Sequence, residues 1–276
     1  MLNPTMAIIG PGRAGSALGR ALAAAGYPIV AVGGRTPENV RALAAELHAR
    51  ASATPAAAIE MAELTILAVP DDIIAPLARD LVSKLRLAPG KAVVHLSGAQ
   101  DRAPLRPLHD GGMRTGVFHP LQTFRRGVDA SANVPGTAIG IDADPPLRAW
   151  LWAMAERVGG HPFDLCGIDR VRYHAAAVLV ANYSVTLIAA ARDLMAQAGL
   201  APETAQAGLV ALLQGTVNNL GAADPREALT GPASRGDDHT VQRHLDALAA
   251  DPELQQIYRL LADRSRRLKQ DPEEAA

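Results

Sequence analysis

The chain has 276 residues, with 27 lysines and arginines against 28 acids, a single cysteine and 49% hydrophobic residues. That length supplies one large domain or two moderate ones with a real core, and near-balanced charge without a basic run gives nucleic acid or a polybasic membrane contact no electrostatic footing. Cys166 alone excludes an intramolecular disulfide framework and fits a reducing, cytoplasmic setting, and the early apolar run at Met6 leaves no room for a signal peptide.

Met6-Ala7-Ile8-Ile9 reads as a strand buried on both faces, followed at once by Gly10-Pro11-Gly12-Arg13-Ala14-Gly15 in GxGxxG spacing and a helix over Ser16–Ala25. In such a turn the first glycine permits the bend, the second lets backbone approach a pyrophosphate, and the third lets the helix lie close on the strand. Unpaired amides at the helix start favour an anion there. After the next strand, Ile29–Val32, the chain reads Gly33-Gly34-Arg35-Thr36, without the carboxylate that would hold a ribose 2′-OH. Arg35 and Thr36 suit a 2′-phosphate instead, which favours NADP; NAD stays open, since Arg35 also reads as an ordinary solvated arginine.

Helical spacing follows over Pro37–Arg50, then a buried strand over Leu64–Val69 that stops at Pro70. Val69 and Pro70 are expected to border the cofactor, because ligands bind at the carboxyl ends of parallel strands. Asp71 and Asp72 read as caps of a helix Ile73–Leu85. Further strands are expected at Ala92–Leu96, ending in Ser97-Gly98-Ala99, and at Thr115–Phe118, ending in a loop with His119 and Gln122. Thr137–Ile141 and His161–Leu165 bracket a helix over Pro146–Val158. The alternation predicts a mostly parallel, helix-covered sheet.

From Asp169 onward only helices are expected: Asp169–Ala198, Pro202–Leu220, a short one near Arg226, Asp237–Ala249 and Pro252–Lys269, then a frayed acidic tail at Glu273–Ala276. The reading is an α/β Rossmann-type dinucleotide-binding domain over 1–166 followed by an all-α domain over 167–276. Tyr173–Ala191 approaches the length of a membrane span, but its Asn182, Ser184 and Thr186 and its flanking arginines favour burial in a core or a subunit interface.

The GPGRAG turn, the strand endings AVPDD and HLSGA, the HPLQTF segment, the YHAAAVLVANY helix and the late LTGPASRGDDHTVQRHL segment resemble Rossmann-like proteins carrying the domain of unknown function DUF2520. That group is similar to the 6-phosphogluconate dehydrogenase-like superfamily, with pyrroline-5-carboxylate reductases, ketopantoate reductases, prephenate dehydrogenases and coenzyme F420-dependent NADP oxidoreductases. The resemblance implies an NADP-type oxidoreductase with an all-helical second domain, paired as a homodimer. Hydroxyacid dehydrogenases of the superfamily place a catalytic lysine one turn before an asparagine on the first helix of that domain. If Asn182 is that asparagine, the lysine position is Val178, and the acid must come from elsewhere.

His174 and Asn182 are eight residues apart, about 80° around a helix, so both can face one cleft. His174 has a side chain suited to proton transfer near neutrality, and equally reads as a histidine satisfied at a helix start. His119 and Gln122 fall on the loop side where a nicotinamide would arrive; His119 is open between a site role and a loop-bracing one. Ser97 could orient a substrate oxygen. In Thr230–Asp237 the glycines and proline demand a tight turn, Arg235 could clamp a carboxylate bidentately, and Asp237 reads as an N-cap. His239 and His244 are five apart rather than four, so no metal is expected. The sequence therefore points to an NADP-dependent oxidoreductase acting on a small polar carbonyl or imine compound in a cleft between the domains. The alternatives are an NADP-binding sensor or scaffold without turnover, and an oxidoreductase that exchanges hydride with a deazaflavin.

Overall fold

The computed structural model describes residues 3–85, 90–125 and 129–270; the acidic tail at 273–276 lies outside them. The chain forms two compact units, Met1–Ala181 and Asn182–Ala276. In the first, β1 (Met6–Ile9) leads through the glycine turn into α1 (Arg13–Ala24), then β2 (Ile29–Gly33), α2 (Pro37–Glu46), β3 (Arg50–Ala51), α3 (Pro55–Met61) and β4 (Leu64–Leu67). There follow α4 (Asp71–Val82), β5 (Ala92–His95), α5 (Arg106–Asp110), β6 (Arg114–Pro120), β7 (Ala138–Ala143), α6 (Leu147–Arg157) and β8 (His161–Asp164).

The eight strands form one sheet in the order β3-β2-β1-β4-β5-β6-β7-β8. Pairing is parallel except between β6 and β7. Strands β1, β4 and β5 are buried throughout, which is why they read as continuous apolar runs rather than alternating ones. One face packs Leu18 and Leu22 of α1, Leu43 of α2 and Leu151 and Met154 of α6. The other packs Ile59 of α3, Ile74 and Leu81 of α4 and Leu108 of α5. Each such side chain removed from water contributes roughly 1.5–3 kcal/mol. Between β1 and β4 the chain reverses its direction of travel across the sheet, and the glycine turn opens at that point.

Four local expectations need correction. The first helix begins at Arg13, not Ser16, because Gly15 belongs to its first turn. Asp71 and Asp72 do not cap α4: Pro70 is the N-cap residue and makes no side-chain cap bond, so the two acids act in the first turn on the helix dipole. The strand read as Thr115–Phe118 continues to Pro120, because β7 pairs with it antiparallel in the register His119↔Gly140 and Pro120↔Ile139. His119 is therefore a strand residue. The stretch after α2 holds an unanticipated two-residue edge strand, β3, and a helix, α3, begun by Thr54 accepting from the Ala57 amide with Pro55 in the first turn.

The second unit is helical. α7 (Arg170–Gln197) crosses the division between the units, followed by α8 (Pro202–Ala222), α9 (Pro225–Ala228), a 3₁₀ turn at Ala233–Arg235, α10 (Asp238–Ala247) and α11 (Pro252–Lys269). Asp237 caps α10 by accepting from the Thr240 amide at 3.0 Å, as expected from the sequence. Gly231 and Gly236 take φ of +109° and +71°, which the tight turn between them requires. A small core joins Val241 and Leu245 of α10 to Ala262 of α11. By length and composition α7 could cross a membrane, yet its apolar window is not buried within the chain. Of the two placements expected for this helix, a core or a subunit interface, the core is not the one found.

Candidate active site

Each glycine of the turn has a different surrounding. A Cβ on Gly10, whose φ is +96°, would stand 2.5 Å from the Ala68 carbonyl oxygen, and one on Gly15 would stand 2.2 Å from the Gly10 oxygen. Both positions admit only hydrogen. A Cβ on Gly12 would meet nothing within 4 Å, and its φ of −87° is ordinary. The fold itself therefore leaves room for a side chain at Gly12.

Gly12 is the N-cap of α1 without a side-chain cap, and the first turn holds no acid. The leading amides of α1, at Arg13, Ala14 and Gly15, have no carbonyl one turn earlier in the helix to bond. An anion fits this cradle. Val69 touches the space beside Gly10, and Pro11 lies 2.7 Å from where a Gly34 Cβ would be, so the β2 ending leans on the glycine turn. The carboxyl ends of β1, β2 and β4 therefore bring together Gly10 to Gly15, Val69, Pro70 and the segment bearing Arg35 and Thr36. Arg35 is exposed, and the Thr36 side chain is not used to cap α2.

A second cluster lies at the ends of β5 and β6 and the start of α7. His95, fully buried, sits with Nε2 2.7 Å from the Asp101 carbonyl while its Nδ1 accepts from the Ser97 amide at 3.2 Å. Burial holds its pKa below the ordinary histidine value. Ser97 Oγ accepts from the amides of Ala99 and Gln100, both at 3.2 Å, which shapes the turn. That turn carries Gly98 against His119: a Cβ there would be 2.6 Å from the ring Nε2. On its other side the His119 Nδ1 lies 2.7 Å from the Tyr173 hydroxyl, with the rings edge to face at 5.5 Å. Burial above all, with His174, Arg170 and His95 adding to it, lowers the His119 pKa to about 4. Burial also pushes Tyr173 up to about 12, against the pull of Arg170.

His174 is the next residue on α7, and its Nδ1 is enclosed without a hydrogen-bond partner among the described residues. Arg170, 7% exposed, donates to Asp142 at 2.7 Å, and Arg102 Nε reaches the other Asp142 oxygen at 3.1 Å. Arg102 also pairs with Asp144. Sequence reasoning missed Tyr173, Arg170, Asp142 and His95. The one signal for Asp142 was an acid inside the apolar run IGIDA, on a strand that the sheet then buried.

Of the predicted chemistry-bearing residues, the first unit brings His119, His174 and Ser97 into this cluster. Gln122 braces the loop: its Nε2 donates to the Asn133 carbonyl at 3.1 Å and its Oε1 accepts from the Thr123 amide at 2.8 Å. Asn182 and Arg235 belong to the second unit, Arg235 exposed on its 3₁₀ turn. Among the described residues no group of histidine, cysteine or acidic side chains could hold a metal ion, and His244 Nδ1 is bonded to the Tyr258 hydroxyl at 2.6 Å.

A mostly parallel sheet with the glycine turn at its reversal point, and titratable side chains at neighbouring strand ends, is the arrangement found in dinucleotide-binding oxidoreductases. Residues 5–97 match the family described as NADP oxidoreductase, coenzyme F420-dependent, and residues 137–265 match the domain of unknown function DUF2520. The chain thus matches an NADP oxidoreductase family over its first part and DUF2520 over its second, in agreement with the sequence resemblance. Curated proteins gave no match. Among solved structures, a Bacteroides fragilis protein assigned as an NADP oxidoreductase is 28% identical, with a TM-score of 0.78 over 96% of this chain and 98% of that one. A pyrroline-5-carboxylate reductase from Coxiella burnetii is 17% identical, with a TM-score of 0.62 over 98% of this chain and 100% of that one. A reductive aminase from Aspergillus terreus, in complex with NADPH and ethyl-5-oxohexanoate, is 20% identical, with a TM-score of 0.65 over 96% and 93%. The last two share the fold.

Proposed function

We propose that the protein is an NADP-dependent reductase or dehydrogenase acting on a small polar carbonyl or imine compound. The observation that carries this reading is the empty space over Gly12, between two glycines that packing alone demands. The turn amides would hold the pyrophosphate, and Arg35 with Thr36 the 2′-phosphate. When bound, the nicotinamide supplies or accepts the hydride. His119 and His174 then polarise or protonate the reacting atom. The test is cofactor oxidation, followed optically, with purified protein against keto acids and cyclic imines; absence of turnover with every compound would leave a sensor role. Arg35→Ala is expected to weaken NADPH by about tenfold or more while changing NADH little, as loss of one charge-assisted phosphate contact of about 1.5–3 kcal/mol requires. Equal losses for both cofactors in a fluorescence titration would remove the preference.

A second reading, in which a reduced deazaflavin exchanges hydride with NADP, is favoured by the family matched over residues 5–97. The same assay with that donor separates the two.

The apolar side chains of α7 and α8 support a homodimer. Val180 and Val185 are 75% and 69% exposed on α7, and Leu212 and Val217 are 67% and 52% exposed on α8. We propose that a second copy covers them, since exposed apolar surface on this scale marks an interface. Sedimentation should give twice the 28.8 kDa chain mass, and Leu212→Glu should give the single chain. A wild-type monomer at micromolar concentration would contradict this.

A further inference from the structure

Resting on the reductase reading above, we propose that Tyr173 is a positioning residue: it holds His119 as the neutral imidazole with its proton on Nε2, so that the site offers an N–H donor to a carbonyl oxygen. The contact is the 2.7 Å approach of the Tyr173 hydroxyl to Nδ1. Two protonation patterns are geometrically open to it, and chemistry separates them. A phenol is a stronger acid than a neutral imidazole N–H, and an imidazole nitrogen is a stronger base than a phenol oxygen, so the hydroxyl donates and Nδ1 accepts. Nδ1 is then without a proton, and the neutral ring carries its proton on Nε2.

The surroundings keep the ring neutral. The charged or titratable groups facing it are His95 from β5 and Arg170, Tyr173 and His174 from α7. None is a carboxylate, and the Asp142 carboxylate of β7 is held by Arg170 at 2.7 Å. Burial above all, with His174, Arg170 and His95 adding to it, disfavours a proton on His119, which is why the ring resists protonation until about pH 4. The Tyr173 ring also neighbours that of Phe163, tilted at 6.2 Å between centroids. On the opposite side the ring packs on Gly98, where a Cβ would stand 2.6 Å from Nε2, so glycine is required there.

This arrangement selects a substrate. A neutral N–H donor needs a lone pair to bond. A carbonyl oxygen offers one; as its carbon accepts hydride from a bound nicotinamide the oxygen gains negative charge, so the bond strengthens along the reaction, and the alkoxide formed takes its proton from water. A neutral imine nitrogen has a lone pair but is a poor hydride acceptor until protonated, and the protonated iminium nitrogen offers none. Of the two compound classes in the reductase reading, the geometry points to the carbonyl class.

Long-range proton–nitrogen NMR of the full chain with labelled histidine tests the assignment without substrate. The wild type should show His119 with Nε2 protonated across the neutral range, titrating only near pH 4. Tyr173→Phe removes the hydroxyl but keeps the ring, and should yield a comparable amount of the Nδ1–H form. A wild-type ring protonated on Nδ1, a wild-type titration near the ordinary histidine value, or a Tyr173→Phe spectrum unchanged from wild type would each overturn the proposal. If Tyr173→Phe fails to fold, the wild-type spectrum decides alone. In cofactor oxidation, keto compounds should be reduced and cyclic imines not; turnover confined to imines would overturn the substrate choice. No turnover with either class counts against the reductase reading and leaves the spectrum to judge the tautomer.

Discussion

Gly12→Asp is expected to leave the fold intact and to weaken dinucleotide binding by at least about 100-fold, a loss of about 2.7 kcal/mol or more. No atom lies within 4 Å of the new Cβ, and the φ of −87° and ψ of −160° suit any residue. Aspartate is also among the preferred N-cap residues, so its carboxylate would bond the free amides of α1 and add a few tenths of a kcal/mol to stability. The substitution thus fills the anion cradle with an anion of the chain's own. Calorimetric titration with NADPH, paired with thermal unfolding, checks both halves. Gly15→Ala is the contrasting control: its Cβ would stand 2.2 Å from the Gly10 oxygen and forces helix and strand apart. Unaltered affinity in Gly12→Asp would move the cofactor away from the turn.

Asp142→Ala should have the largest effect on stability. The Asp142 and Arg170 side chains are 9% and 7% exposed and joined at 2.7 Å, and Arg102 bonds the same carboxylate. Removing the acid leaves the Arg170 guanidinium buried without its counter-charge, on which the Nη1 already lacks a hydrogen-bond partner among the described residues. Breaking a buried pair from one side costs about 3–5 kcal/mol, or roughly 6–20 °C in melting temperature for a unit of this size. Replacing both partners, as Asp142→Ala with Arg170→Met, should recover much of the loss, because no unpaired charge remains. Urea unfolding of the two variants separates the cases. A double variant no better than the single one would show that Asp142 matters through its volume and not its charge.

The glycine turn was legible because every part of it is local. Strand, bend and helix follow within twenty residues, and the roles of Gly10, Gly12 and Gly15 depend on backbone conformation and close approach. Helices such as α6 and α11 announced themselves through their period and their breaks. α3 did not, being seven alanine-rich residues long, and β3 has only two residues and an exposed edge. His119 was placed in a loop because the run Thr115–Phe118 looks complete by itself; only the antiparallel partner β7 extends the ladder to Pro120.

What the sequence determined by itself was the class of fold, the glycine turn and the change from alternating elements to helices alone, since hydrophobic period and turn chemistry act over a few neighbouring residues. What only the tertiary structure decided was who meets whom. His119 finds Tyr173 across 54 positions, and Asp142 finds Arg170 across 28. Those meetings require the order of strands in the sheet and the placement of α7 against it, and they set which histidine is neutral and which charge is buried. Each of these side chains, taken alone in the chain, is an ordinary polar residue; removal from water beside one particular partner is what turns it into a site.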